Sequence, residues 1–198
     1  MECLIGITFK DFVLLAADTM AAHSIISIKQ DHNKLYQLSD HLGMLVSGES
    51  GDTVQFAEYI SKNIQLFKMR NGFELSPQAA ANYTRKNLAD SLRTRNHYMV
   101  NLLLAGYDEK DGPGLYYIDH LATMAKVPYA VHGYGGYFIY GLLDRYYRSD
   151  VEQKDAIEIL RKCIAEIQKR LVLNLPSFKM WIIDANGIKD VDAPTPME

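Results

Sequence analysis

The order in which strand-like and helix-like segments follow one another constrains this chain most. Leu4 to Thr8 and Phe12 to Ala16 are short apolar runs parted by Lys10 and Asp11, which reads as a β-hairpin. Ser24 to Lys29 and Leu42 to Ser47 extend the β region until Gly48-Glu-Ser-Gly51 stops it. Two helices are then expected. Asp52 stands as N-cap before Val54, Ala57, Ile60, Ile64 and Phe67, which recur at helical spacing up to Arg70-Asn71-Gly72. Ser76 and Pro77 open the second helix, where the missing proline N–H costs nothing, and it runs to about Arg93.

Strands resume at Val100 to Tyr107 and Leu115 to His120, around a long turn over Asp108 to Gly114, and again at Val127 to His132. Gly133-Tyr-Gly-Gly136 opens a third helix through Tyr147. Asp150 is placed to cap a fourth, with Ile157, Leu160, Ile164 and Ile167 along one stripe. Phe178 to Asp184 and Ile188 to Val191 form a closing hairpin, and Ala193 to Glu198 a polar, proline-broken arm. Helices do not alternate with single strands as parallel α/β folds require, so the expected class is α+β: two antiparallel sheets face to face, each covered by a helix pair. The chain has 198 residues, no repeat and no linker, and reads as one domain over 1–198.

Composition removes several functions. The net charge is −3 and neither Lys nor Arg forms a dense run, so nucleic acid is not an expected partner. Phe12 to Ala17 and Val100 to Ala105 are strand-sized, well short of the ~20 apolar residues that cross a bilayer, so no membrane is expected. Met-Glu-Cys-Leu-Ile has none of the features of a secretory signal, and an intracellular protein is expected. The two cysteines, Cys3 and Cys163, fit no metal spacing, and the six histidines form no HExxH arrangement, so neither metal nor other cofactor is expected. Gly133 to Gly136 has part of a dinucleotide-loop pattern, but Phe138 stands at the third glycine position and the βαβ context is missing, which leaves a packing turn. Tyr116-Tyr117 and Tyr146-Tyr147 are read as sheet-face and contact residues rather than base-stacking platforms.

Leu15-Ala-Ala-Asp18, Lys34, Ser47-Gly48, Gly51 to Tyr59, Val100 to Tyr107 and His132-Gly-Tyr-Gly135 together resemble the proteasome β subunits, over essentially the whole chain. Gly51 to Tyr59, with Met69-Arg-Asn-Gly72 and Leu75-Ser-Pro77, narrows the resemblance to the type-2 class within that family. The α-type subunits carry a helix ahead of the first strand, and no such segment stands here. The resemblance implies the four-layer αββα sandwich of N-terminal-nucleophile hydrolases. It also implies a place among other proteasome α and β subunits in the stacked seven-membered rings of the 20S core particle. With its regulatory caps, that particle degrades ubiquitin-tagged proteins in cytoplasm and nucleus.

Active members of that family attack the peptide carbonyl with an N-terminal threonine whose own α-amine relays the proton. A lysine keeps positive potential on the nucleophile, an aspartate orients the lysine, and a glycine N–H serves the oxyanion. Asp18, Lys34 and Gly48 match those positions, but the family spacing puts Glu2 where the threonine belongs. A carboxylate has no hydroxyl to activate, and no Gly-Thr junction precedes it. Met1-Glu2 is the expected start, because glutamate disfavours methionine removal. Gly136 and Asn174 stand where supporting serines are found, and Leu171 where an aspartate is. Cys3, Thr8 and Thr19 are alternative nucleophiles only after trimming, and none keeps the spacing to an aspartate and a lysine. Loss of a nucleophile alone costs on the order of 10⁶ in rate, so the expectation is a silent subunit with no catalytic residues. The competing expectation is a stand-alone amidohydrolase of the same fold.

Overall fold

The structure, a computed structural model, describes residues 2–23, 26–172 and 175–192. Its strands are β1 (Cys3–Thr8), β2 (Val13–Asp18), β3 (Ala21–His23), β4 (Ile26–Lys29), β5 (Leu35–Ser39), β6 (Leu42–Gly48), β7 (Val100–Asp108), β8 (Gly112–Ile118), β9 (Met124–Lys126), β10 (Tyr129–Gly133), β11 (Phe178–Asp184) and β12 (Gly187–Val191). Its helices are α1 (Ser50–Asn71), α2 (Pro77–Ser91), α3 (Gly136–Tyr146) and α4 (Gln153–Arg170).

Two five-stranded sheets result, ordered β10-β1-β2-β11-β12 and β5-β6-β7-β8-β9, every pairing antiparallel. Side-chain alternation sends each inner strand's residues to two different apolar layers. On β1, Cys3, Ile5 and Ile7 join α3 and α4 in one layer, while Leu4 meets Leu45, Leu103 and Leu115 between the sheets. A third layer packs Met44, Val46, Leu102 and Leu104 under α1 and α2. The result is the expected αββα sandwich, and the shared face of Cys3, Ile5 and Ile7 explains why the thiol lies inside.

Several boundaries differ from the sequence reading. Helix α1 begins at Ser50, so Gly51 is helical and Asp52 lies in the first turn; the capping position falls to Glu49, without a side-chain cap bond. Asp52 instead accepts a hydrogen bond from the Met99 N–H at 2.9 Å, tying the helix start to β7. The partner of β6 on its outer side is β5, not the segment at 24–29, whose described part forms an isolated ribbon with β3. Asp108 pairs with Gly112, so the β7–β8 turn is three residues rather than a long loop. Strand β9, which the sequence reading lacked, continues that sheet. Helix α3 starts at Gly136, and α4 is preceded by Glu152 rather than capped by Asp150. Ser76 does cap α2, its hydroxyl accepting from the Ala79 N–H at 3.3 Å. The expected arm at 193–198 lies outside the described residues.

Candidate functional site

The antiparallel register of β1 and β2 brings the start of the chain beside Asp18, the last residue of β2. The Asp18 carboxylate receives the Cys3 N–H at 2.7 Å on Oδ1 and the Met20 N–H at 3.1 Å on Oδ2. Lys34, immediately ahead of β5 in the other sheet, reaches both Asp18 oxygens from Nζ at 2.9 and 2.8 Å. Asp18 and Lys34 are 1% and 2% exposed, so this charge pair is removed from water. Such a pair is tolerable only when its donors and acceptors are satisfied. Here three donor groups make four hydrogen bonds to one carboxylate.

Glu2 completes the group. Its Oε1 forms an ion pair with Lys34 Nζ at 3.1 Å, beside the two hydrogen bonds that the ammonium gives to Asp18. Its Oε2 accepts the Gly48 N–H at 2.9 Å. Gly48 adopts φ +142°, and a Cβ there would stand 2.1 Å from the Met99 carbonyl oxygen, so only glycine permits this turn between β6 and α1. Gly133 has the same necessity opposite Glu2: at φ +84° its absent Cβ would fall 1.8 Å from the Glu2 carbonyl oxygen. The glycines of 133–136 therefore serve close packing. The Glu2 side chain remains 28% exposed and faces a cavity of about 360 Å³ whose walls include His32, Ser47, Asn101 and Tyr134.

Burial pushes the Asp18 carboxyl above its ordinary value, while the Lys34 charge and hydrogen bonds and the Cys3 N–H pull it down. Burial, aided by the Asp18 charge, pushes the Cys3 thiol up to about 12, so it stays protonated and is no nucleophile at neutral pH. Thr8 ends β1 at the Val13 end of the hairpin, away from Asp18. The Thr19 hydroxyl is engaged with the Gln30 carbonyl at 2.7 Å and with Ser177. Gly136 begins α3 with no side chain to offer, and Leu171 packs against the layer beneath α4. Asn174 lies outside the described residues.

Asp18, Lys34, Gly48 and Glu2 thus meet at one point; the sequence marked these four positions but left open whether Asp18 and Lys34 pair. The main-chain donors of Cys3 and Met20, and His32, Asn101 and Tyr134 around the cavity, were not foreseen. Backbone donors carry no residue-type signal, and His32, Asn101 and Tyr134 come from three segments far apart in the sequence. Among the described residues no group of three or more His, Cys, Asp or Glu is arranged to hold a metal ion, and no helix is long and apolar enough to cross a membrane.

A family model described as "Proteasome subunit" matches residues 2–183. Proteasome subunit beta type-2-A of Arabidopsis thaliana is 48% identical over 96% of this chain and 93% of its own length. Proteasome subunit beta type-2 of Oryza sativa is 46% identical over 96% of this chain and 89% of its own. Proteasome subunit beta type-4 of Saccharomyces cerevisiae is 42% identical over 97% of this chain and 98% of its own. With a family model over nearly the whole chain and relatives 42–48% identical along it, this chain belongs to the proteasome subunit family.

Proposed function

We propose that the chain is a non-catalytic β subunit of the 20S core particle, which fills a place in a β ring and takes no part in peptide-bond cleavage itself. The observation that supports this reading is the Glu2 carboxylate, which stands at the position that family spacing gives to the nucleophile, ion-paired with Lys34 and accepting the Gly48 N–H. An attacking group needs a proton to release and an electron pair directed at carbon; Glu2 has no hydroxyl, and both of its oxygens are engaged. The Gly48 N–H that would stabilise an oxyanion already faces a negative oxygen, so a peptide carbonyl would have to displace a charge with a dipole. The lysine that would raise a nucleophile's reactivity is hydrogen-bonded to Asp18 and ion-paired with Glu2. In this reading the partners are the other α and β subunits, with regulatory caps acting through them, and the work is ubiquitin-dependent protein breakdown in cytoplasm and nucleus.

Native mass spectrometry of the chain drawn from its own cells, treated with a covalent probe for N-terminal threonine, tests this reading. The expected result is a complex of several hundred kilodaltons in which sister subunits carry the probe and this chain does not. A small free oligomer, or labelling of this chain, would favour the stand-alone amidohydrolase instead.

A further inference from the structure

The contacts of Glu2 have the form of an occupied ligand site. A planar carboxylate spans two positive groups of different origin, an ammonium ion-paired with one oxygen at 3.1 Å and a backbone N–H donating to the other at 2.9 Å. Neither donor depends on Glu2 for its position. Lys34 is held by both oxygens of Asp18. Gly48 is fixed by its pairing with Val100 and by the bond from the Glu49 N–H to the Met99 carbonyl at 3.1 Å. Donors that stay aimed when their acceptor is withdrawn form a preorganised anion site.

We infer that Lys34 Nζ and the Gly48 N–H form a carboxylate-binding site whose resident ligand is the Glu2 side chain, and that free carboxylates occupy it once that side chain is removed. Two donors facing two oxygens select a carboxylate over a spherical anion such as chloride. Because Asp18 already balances the Lys34 charge, affinity for a small carboxylate is expected to be on the order of millimolar rather than tighter. The cavity of about 360 Å³ beside Glu2 gives a path in and room for a short chain behind the carboxylate, such as the C-terminus of a small peptide. In the natural chain the tether keeps the Glu2 carboxylate at a high effective concentration, so free anions do not compete. The inference stands on the geometry of the donors alone, and a chain that ran as a small free oligomer could still satisfy it.

The test is the thermal midpoint of full-length Glu2→Ala and of the natural chain, each titrated with sodium formate against sodium chloride at equal ionic strength. For Glu2→Ala, formate should raise the midpoint saturably, by about 3–6 °C at ten times its dissociation constant, with chloride giving less. The natural chain should respond to neither salt beyond ionic strength. In the same variant the Gly48 amide resonance should move with formate and saturate along the same curve. If Glu2→Ala is too unstable to purify, its refolding yield in formate against chloride is read instead, and formate should restore it. An equal response of both proteins, or no formate response of the variant by midpoint, resonance or refolding yield, overturns the inference.

Discussion

Lys34 is the residue on which the local electrostatics turn. It is the cation between two carboxylates, hydrogen-bonded to both oxygens of the fully buried Asp18 and ion-paired with Glu2. Lys34→Met preserves much of the side-chain volume yet leaves Asp18 charged, buried and facing Glu2. Breaking one partner of such a pair costs about 3–5 kcal/mol, and urea unfolding at neutral pH should show a loss of that size. Lowering the pH should narrow the gap between variant and natural chain, because protonating Asp18 removes the uncompensated charge. A gap that is small, or that widens in acid, would mean that the ammonium contributes packing and little else. Asp18, Lys34 and Gly48 were legible in the sequence because family spacing fixes them, and Glu2 followed by counting. What the sequence did not contain was the contact of Glu2 with Gly48. That contact depends on backbone angles at Gly48 and Gly133, which leave no mark beyond the presence of glycine.

At the level of strands and helices, His132 on β10 joins the two sheets. Its Nε2 lies 2.9 Å from the Leu102 carbonyl oxygen on β7, and its ring stacks on Tyr117 of β8 with centroids 4.2 Å apart. Burial lowers its pKa from 6.5 to about 4, against the opposing pull of the Leu102 and Ile118 backbone and of Asp119, while His120 adds to the lowering. The unfolded chain therefore binds a proton that the folded one refuses. This contribution is whole above pH 6.5 and is lost as the pH falls toward 4, amounting to roughly 3 kcal/mol. In His132→Asn, the slope of unfolding free energy over that interval should flatten; an unchanged slope would assign the acid sensitivity to other groups. Elements with strong local signals were readable in the sequence, as at Ser76-Pro77 and the 178–191 hairpin. Those set by tertiary pairing were not. Strand β5, Leu-Tyr-Gln-Leu-Ser, alternates too weakly to announce itself, and the first turn of α1 reads as a loop because Gly48 and Gly51 both look like breakers.

For the molecule as a whole, the strand order β10-β1-β2-β11-β12 carries a consequence for the order of events during synthesis. The other sheet is drawn entirely from residues 35–126, a continuous stretch that can pair as soon as it has emerged from the ribosome. The sheet that begins the chain cannot close in the same way. Its second strand waits for the eleventh, so that Ala16 meets Met180 only after all the residues between them have been made. Contacts so distant along the chain form slowly, because loop closure must come before any gain from pairing. Pulse-labelled hydrogen exchange during refolding should show β6, β7 and β8 protected ahead of β2 and β11. Simultaneous protection would mean that the two sheets fold as one cooperative unit. Until the late strands arrive, Leu4, Val13 and Leu15 have no finished sheet to hold them, and the nascent chain carries this apolar segment without its partner strand while residues 19–177 are made. A polypeptide arranged in this way needs something to cover its beginning while its end is still being written, and that makes it a natural client for cotranslational chaperones.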